Sequence, residues 1–454
     1  MTPLTCFKAY DVRGRLGVDL DEGVAYRIGR AFAEVMGAAS VVLGRDCRAS
    51  SQSLSDAVAQ GLLAGGADVL NLGLSGTEEM YFATTHLGAG GGICVTASHN
   101  PMDYNGMKMV GPGSAPLHPE TGLGAIRDLA QSQRFAAPNR SAGQHDASAV
   151  RSAYVQRVLS FVDVAALSPM TVLVNAGNGA AGPTFDAIAA ELALHNAPVR
   201  FVRMHHDPDG TFPNGIPNPL LPENQPVTSD AVLRAGADLG VAWDGDFDRC
   251  FLFDHTGAFV PGEYVVGLLA EVFLSREPGA RIVHDPRVIW NTRDIVAKGG
   301  GVPVQARVGH AFIKQVMRDT DAVYGGEMSA HHYFRDFMAC DSGMIPWLMI
   351  LDLLSRRGRS LADVLAERKS AFPSSGEINF RVRDTQAAIA RIEQHYAPLA
   401  SERDDMDGLG LCFDGWRLNL RASNTEPLLR LNVESRGDPD TVKSRVAEIS
   451  ALVN

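Results

Sequence analysis

Two short segments carry the residue types of a reactive centre, Thr96-Ala97-Ser98-His99-Asn100-Pro101 and Asp244-Gly245-Asp246-Phe247-Asp248-Arg249. In the first, the apolar run Gly92-Ile93-Cys94-Val95 predicts a buried strand that delivers Ser98 onto a turn closed by Pro101, with His99 beside it. The C-terminal end of such a strand is where open α/β sheets bind ligands. Lys108, just past the turn Asn105-Gly106, adds a cation able to meet a phosphate. An ordinary turn serine fits the same six residues. In the second segment, carboxylates at i, i+2 and i+4 follow the apolar stretch Ala237–Trp243, and Gly245 permits a tight turn. Their oxygens can converge on one hard cation, and unneutralised they would repel one another. A solvated acidic turn is the bland alternative. An EF-hand loop is excluded, because its glycine position holds Arg249 and its closing glutamate position holds His255. Asp244, Asp246 and Asp248 leave coordination positions open, which suits Mg²⁺ shared with a phosphate oxygen. Arg249 would then stand against the same phosphate.

Two further segments are polar in a patterned way. Glu327, Ser329 and His331 alternate within Gly325–His332, which predicts one face of an extended loop able to hydrogen-bond sugar hydroxyls; an exposed polar loop is the alternative. Arg421-Ala422-Ser423-Asn424-Thr425-Glu426-Pro427, followed by Arg430, offers a guanidinium, hydroxyls and an amide in the manner of a phosphate nest, or else of a capped turn. Lesser candidates, each a basic residue near a glycine, are Tyr10–Gly14 with Arg13, Gly44–Arg48, and Gly309-His310 with Lys314. No G-x-x-x-x-G-K-[ST] segment occurs, so ATP is not the expected donor. A serine–metal centre with a separate phosphate nest instead fits a ligand held by one phosphate while its other end reacts at Ser98.

The elements that must position these residues follow from periodicity. Ser40–Leu43, Asp68–Leu72 and Gly92–Val95 read as strands, with a helix over Ser53–Ala64. A second round has strand Thr171–Val174, turn Asn175–Gly182, a helix through Leu192 and strand Val199–Met204. A third has helix Tyr264–Leu274, strand Arg281–His284, helix Trp290–Ala297, strand Val302–Gln305 and helix Phe312–Met317. This alternation implies βαβ units with parallel or mixed sheets. The end differs: strand Glu377–Val382, helix Thr385–Tyr396, a hairpin of Leu409–Phe413 and Trp416–Leu420 about Asp414-Gly415, strand Leu428–Glu434 and helix Asp440–Leu452. The expected fold is therefore three tandem α/β domains with mixed sheets plus a C-terminal α+β domain. The Pro-rich stretch 207–223 lacks periodicity and is expected to be an ordered loop.

Composition agrees with a multidomain cytosolic protein. The chain has 454 residues, 45% hydrophobic and 20% charged, with a net charge of −11. That charge argues against nucleic acid or an anionic membrane as partner, and requires any anion site to collect its positive charge locally. The six cysteines show no C-x-x-C pair and are expected to be reduced. No signal peptide is visible in Met1–Tyr10, so the expected location is cytoplasmic. The greasiest stretch, Met344–Leu354, is too short for a membrane span and predicts a buried helix.

Taken together, Lys8–Arg13, Thr96–Pro101, Asp244–Arg249, Gly326–His331 and Arg421–Pro427, in that order and across essentially the whole chain, resemble the α-D-phosphohexomutase family. Within it the chain looks like the bacterial phosphomannomutase/phosphoglucomutase branch of GDP-mannose and exopolysaccharide pathways. Met328 stands where phosphoglucosamine mutases usually have Gln. The resemblance implies four domains around a central cleft: a phosphoserine domain over 1–147, a metal-binding domain over 148–253, a sugar-recognition domain over 254–370 and a phosphate-binding domain over 371–454. It implies Ser98 as the phosphoserine, with Asp244, Asp246, Asp248 and the Ser98 phosphate around Mg²⁺ and Arg249 at the reacting phosphate. Glu327 and Ser329 would hold the sugar O3 and O4 hydroxyls, with His331 beside them, and Arg421, Ser423, Asn424, Thr425 and Arg430 the non-reacting phosphate. Tyr10, Arg13, His99, Lys108 and His310 would complete the site, His310 or a neighbour assisting proton transfer. Arg287 occupies a place where some members carry a lysine, and Arg307-Val308 one where many have Lys-Thr. The implied partners are mannose and glucose 1- and 6-phosphates, with a hexose 1,6-bisphosphate as activator and intermediate, in a monomer or homodimer. Strict glucose specificity and a phosphoserine-type phosphatase are the rival readings.

Overall fold

The computed structural model describes residues 3–422 and 428–453. The chain forms two compact units, one holding the residues up to Phe259 together with His331–Gly358, the other holding Val260–Ala330 and the residues from Arg359 onward.

In the first unit, a sheet of order Val12–Arg15, Tyr104–Val110, Gly92–Val95, Ser40–Arg45, Asp68–Leu74, Gln144–Asp146 is mixed. Ser40–Arg45 runs parallel to its neighbours Gly92–Val95 and Asp68–Leu74, whereas Tyr104–Val110 is antiparallel to Gly92–Val95. Its apolar strand faces are covered by helices Glu22–Met36 and Ser51–Ala64. Helix Glu22–Met36 starts where the Asp21 side chain accepts from the Val24 amide, and stops at Gly37 in the left-handed conformation that glycine tolerates. A second mixed sheet contains Met170–Asn175, parallel to both Val199–Met204 and Leu239–Trp243, and the hairpin Leu239–Trp243/Cys250–Asp254. The stretch between Asp207 and Leu221 is irregular and ordered, tied to the preceding turn by Asn178 Nδ2 donating to the Asp207 carbonyl at 2.9 Å.

The predicted apolar helix is observed as Met344–Arg357, with Met344 to Leu354 buried. Its first amides donate to Ser342 Oγ at 3.1 and 3.0 Å, an N-terminal cap from a side chain two residues upstream. By its packing this helix belongs to the first unit. Local periodicity identifies a buried helix but not the sheet that buries it.

The second unit contains the parallel strands Val302–Gln305, Arg281–His284 and Tyr324–Gly326. It also contains the antiparallel sheet of order Ile378–Arg381, Leu428–Ser435, Trp416–Ala422, Leu409–Cys412, Glu402–Asp404. Helices Thr385–Tyr396 and Pro439–Val453 close one face of that sheet over a core of Leu411, Leu418, Leu420, Leu431 and Ile449. The three α/β segments and the α+β ending thus stand as expected. Among the described residues the six cysteines are all free, and no helix is long and apolar enough to cross a membrane.

Candidate active site

Ser98 lies just past strand Gly92–Val95 with φ at 50°, in the left-handed region that costs an L-residue about 1–2 kcal/mol. Its amide donates to Thr96 Oγ1 at 2.9 Å. Its carbonyl accepts from Arg48 Nη2 at 2.9 Å, and the same guanidinium donates to the carbonyls of Asn100, Pro101 and Tyr104. Arg48 is in turn oriented by Asp46, whose Oδ1 accepts from the Arg48 amide and from Ser51 Oγ. Arg48 therefore fixes the serine turn, with these donors committed to backbone. The hydroxyl itself donates to Asp244 Oδ2 at 2.5 Å and lies 2.9 Å from His99 Nδ1.

The second loop meets it here. Asp244, Asp246 and Asp248 sit in the turn of the hairpin that pairs Trp243 with Cys250, and all three are buried. Phe247 has φ at 48°, so this turn too holds a side-chain-bearing residue in left-handed backbone. Such outliers gather where surrounding structure over-determines them, as at functional sites. One oxygen of each carboxylate is engaged. Asp244 Oδ2 accepts from Ser98 and from Arg249 Nε at 2.8 Å, Asp246 Oδ2 accepts from Thr77 Oγ1 at 2.5 Å and Lys108 Nζ at 2.8 Å, and Asp248 Oδ2 accepts from Lys108. The other oxygen, Oδ1, is buried in all three without a hydrogen-bond partner among the described residues. One oxygen from each lies within 4.8 Å of the others. Orphaned buried acceptors need an explanation, and three converging carboxylate oxygens fit a hard divalent cation.

The electrostatics agree. Burial works against ionisation of all three, yet Arg249 holds Asp244 well below the usual carboxylate range and Lys108 holds Asp246 below it. At Asp248, burial and the charge of Asp246 win, pushing its carboxyl well above that range. Lys108 is raised by Asp246, Asp248 and Asp244 despite its burial and stays protonated. About a third of the His99 side chain (35%) is exposed, but desolvation and the facing Arg249 push its ring down to about 4. At neutral pH His99 is uncharged, so its Nδ1 can accept. Arg13 borders the turn, donating to Asn100 Oδ1 at 2.5 Å and Asp11 Oδ2 at 2.8 Å, and Tyr10 is half-buried nearby in sequence.

The Glu327–His331 segment departs from expectation. It is a tight turn, with the Ala330 amide donating to the Glu327 carbonyl at 3.0 Å and Ala330 at φ 72°. Glu327 and Ser329 both meet Arg287, whereas His331 goes to other neighbours. His331 belongs to the first unit, its Nε2 3.7 Å from Asp248 Oδ1 and 4.0 Å from Asp341 Oδ2. Glu327 and Ser329 belong to the second, around Arg287. There Arg287 Nη2 donates to Asp285 Oδ2 at 2.8 Å and Ser329 Oγ at 3.3 Å, and lies 3.8 Å from Glu327 Oε1. Glu327 Oε1 also accepts from the Gly309 amide at 3.1 Å, next to His310, the first residue of helix His310–Thr320, which also carries the buried Lys314. Arg421 and Arg430 face each other across paired strands, both against Glu377. Ser423, Asn424 and Thr425 lie outside the described residues. Thr77 and Glu377 were not singled out by sequence, because each reaches its partners through tertiary packing; Asp285 was missed although Asp285-Pro286-Arg287 is a local acid–base pair, a signal that could have found it.

Gly245 is required by the approach of the two loops: a Cβ there would lie 2.6 Å from the Ser98 carbonyl oxygen. Gly245→Ala is therefore expected to push the serine turn and the carboxylate turn apart. A displacement near 1 Å at a reacting group costs about 10²-fold in rate. Steady-state kinetics should show that fall in kcat, in a protein that still folds but whose unfolding midpoint is lowered by the buried clash.

The chain matches the phosphoglucomutase/phosphomannomutase family throughout. Alpha/beta/alpha domains I, II and III match residues 5–137, 152–257 and 261–372, and the C-terminal domain matches 377–452. A phosphomannomutase of Salmonella montevideo is 56% identical over 455 residues, covering 100% of both chains. A Xanthomonas campestris protein described as phosphohexose mutases is 54% identical, covering 99% of both. The crystal structure of a phosphoglucomutase/phosphomannomutase family protein from Burkholderia thailandensis superposes with a TM-score of 0.87 at 32% identity, covering 100% of this chain and 98% of that one. The chain belongs to the phosphoglucomutase/phosphomannomutase family, the α-D-phosphohexomutases. It is accordingly an isomerase of carbohydrate metabolism.

Proposed function

We propose that this chain is a cytoplasmic phosphomannomutase that interconverts mannose 6-phosphate and mannose 1-phosphate through a phosphoserine at Ser98 and a hexose 1,6-bisphosphate. The observation that carries the reading is the Ser98 hydroxyl 2.5 Å from Asp244 Oδ2, beside three orphaned carboxylate oxygens. Mg²⁺ held by Asp244, Asp246, Asp248 and the Ser98 phosphate would neutralise charge developing on the transferred group. Lys108 and Arg249, buried and cationic, would do the same from the protein side. In the first half-reaction the Ser98 Oγ–P bond breaks and a new P–O bond forms to a hexose hydroxyl, whose proton passes to a base, a role we give to His310. The Ser98 oxygen leaves with the electron pair of the broken bond, beside the Arg249–Asp244 pair. The bisphosphate then turns around, Oγ attacks its other phosphate, the P–O bond to the hexose breaks, and the base returns its proton to that hexose oxygen, restoring the phosphoserine and releasing the isomeric monophosphate.

Glu327 and Ser329 would take sugar hydroxyls that present alike in both poses, oriented by Arg287. Arg421, Arg430 and the 423–425 segment would grip the phosphate that is not reacting. Tyr10, Arg13 and His331 would line the reacting end. Residues that read the C3 and C4 hydroxyls cannot separate mannose from glucose, which differ at C2, so glucose 1-phosphate is the second substrate; the Xanthomonas relative's description favours such breadth. Coupled assays on mannose 1-phosphate and glucose 1-phosphate, with Mg²⁺ and hexose 1,6-bisphosphate present, test the proposal. It predicts 6-phosphate product from mannose 1-phosphate with total esterified phosphate conserved. Release of inorganic phosphate in step with turnover would instead mark a phosphatase.

A further inference from the structure

Arg421 and Arg430 are direct cross-strand partners on the strands Trp416–Ala422 and Leu428–Ser435. Like charges placed opposite one another on a sheet repel, so the pair needs an anion between them. Glu377, the residue before strand Ile378–Arg381, supplies it. Its Oε2 accepts from Arg421 Nη2 at 2.9 Å and from Arg287 Nη1 at 3.4 Å, and its Oε1 lies 3.5 Å from Arg430 Nη1. Burial opposes the charge of this 16%-exposed side chain, but Arg287, Arg421 and Arg430 together hold its carboxyl below the usual range. Arg287 is shared with Asp285, its Nη2 donating to Asp285 Oδ2 at 2.8 Å, while Glu377 also faces Arg421 and Arg430. The Nε atoms of both Arg287 and Arg421 are buried without a hydrogen-bond partner among the described residues. The cluster thus keeps buried guanidinium donors that Glu377 does not use, of the type that binds phosphate oxygens.

We propose that Glu377 is an internal stand-in for the substrate's non-reacting phosphate: it occupies the guanidiniums of Arg421, Arg430 and Arg287 when no phosphate is present, and competes with phosphate for them when one arrives. The inference rests on the proposed phosphate role of Arg421 and deepens it. A binding site for a phosphate that must leave and be replaced by the opposite end of the same sugar is best served by a grip that can be relieved. A resident carboxylate does this in two ways. It keeps the arginines gathered while the site is empty, and it lowers the net attraction for the incoming dianion, which quickens its departure.

Glu377→Gln preserves shape and removes the competing charge. In the full-length protein titrated calorimetrically with inorganic phosphate, this variant is expected to bind about tenfold more tightly. In steady-state assays KM for mannose 1-phosphate should fall along with kcat, since release and turnover of the bisphosphate slow. Glu377→Asp, which keeps the charge but withdraws it by one methylene, should shift affinity the same way by less, and serves if the glutamine variant does not fold. A folded variant whose phosphate affinity is unchanged or weaker overturns the proposal, because a residue that merely braced the arginines would weaken binding when removed. Arg421→Ala separates the two readings. If it abolishes phosphate binding while the Glu377 variants fail to tighten it, only the stand-in role is lost; if it leaves phosphate affinity intact, the phosphate site itself is misplaced.

Discussion

Ser98→Ala is expected to lower kcat by roughly 10⁴-fold, the scale on which loss of a covalent nucleophile acts, with the fold retained. The hydroxyl removed is buried and touches Asp244 and His99. Asp244 Oδ2 keeps its bonds from Arg249 in the variant, so no buried charge is abandoned. The turn itself is held by Arg48 through four carbonyls and does not depend on the Ser98 side chain. Stability should therefore change little, and the loss should fall on the chemical step. Intact-protein mass spectrometry should show a phosphate adduct on the wild type after incubation with hexose 1,6-bisphosphate and none on the variant. A protein that only bound sugar phosphates would keep its function when Ser98 is replaced.

Asp246→Asn is the second large effect. Asp246 is wholly buried and its Oδ2 already serves Thr77 and Lys108, so the oxygen it offers a cation is the orphaned Oδ1. Replacing the carboxylate by an amide removes one anionic ligand and presents either a weaker oxygen or an N–H₂ that cannot coordinate. Charge stabilisation by a bound metal is worth several kcal/mol in a transferring group, so a fall of about 10²–10³-fold in kcat/KM at fixed Mg²⁺ is expected. Without metal two effects oppose each other: Asp246 raises the Asp248 carboxyl, so neutralising it relieves that repulsion, but it also weakens the buried pair with Lys108. The variant without metal should therefore melt somewhat below wild type, and the upward shift in Tm that Mg²⁺ gives the wild type should shrink or vanish. A variant that retained the full Mg²⁺-dependent shift would place the metal elsewhere.

What could be read from sequence divides along physical lines. The carboxylate turn was legible because its three ligands are contiguous, and a tight turn after an apolar strand leaves them little choice but to converge. Ser98 was legible as a turn serine after a buried strand; its reactivity was not, since the partner that accepts from its hydroxyl lies 146 residues away. Strands such as Arg281–His284 and Val199–Met204 were found at their observed bounds because continuous or alternating apolar runs encode them. The Glu327–His331 turn was misread because alternation describes a strand, and a left-handed Ala330 breaks it without a glycine to announce the break. Arg48, Thr77 and Glu377 show the other limit. A buried arginine committed to carbonyls looks in sequence like one that binds an anion, and a lone glutamate before a strand gives no sign that three arginines surround it.

If Ser98 both gives and takes back a phosphoryl group, a label on that group must travel with it. The enzyme would be charged with ³²P from labelled hexose 1,6-bisphosphate, freed of excess, and chased with unlabelled mannose 1-phosphate and Mg²⁺. Label should leave Ser98 for the hexose bisphosphate and then the mannose phosphates, with the phosphoserine regenerated and no labelled inorganic phosphate above background. Label appearing as inorganic phosphate at the rate of turnover, or enzyme that turns over without ever carrying label on Ser98, would contradict this exchange.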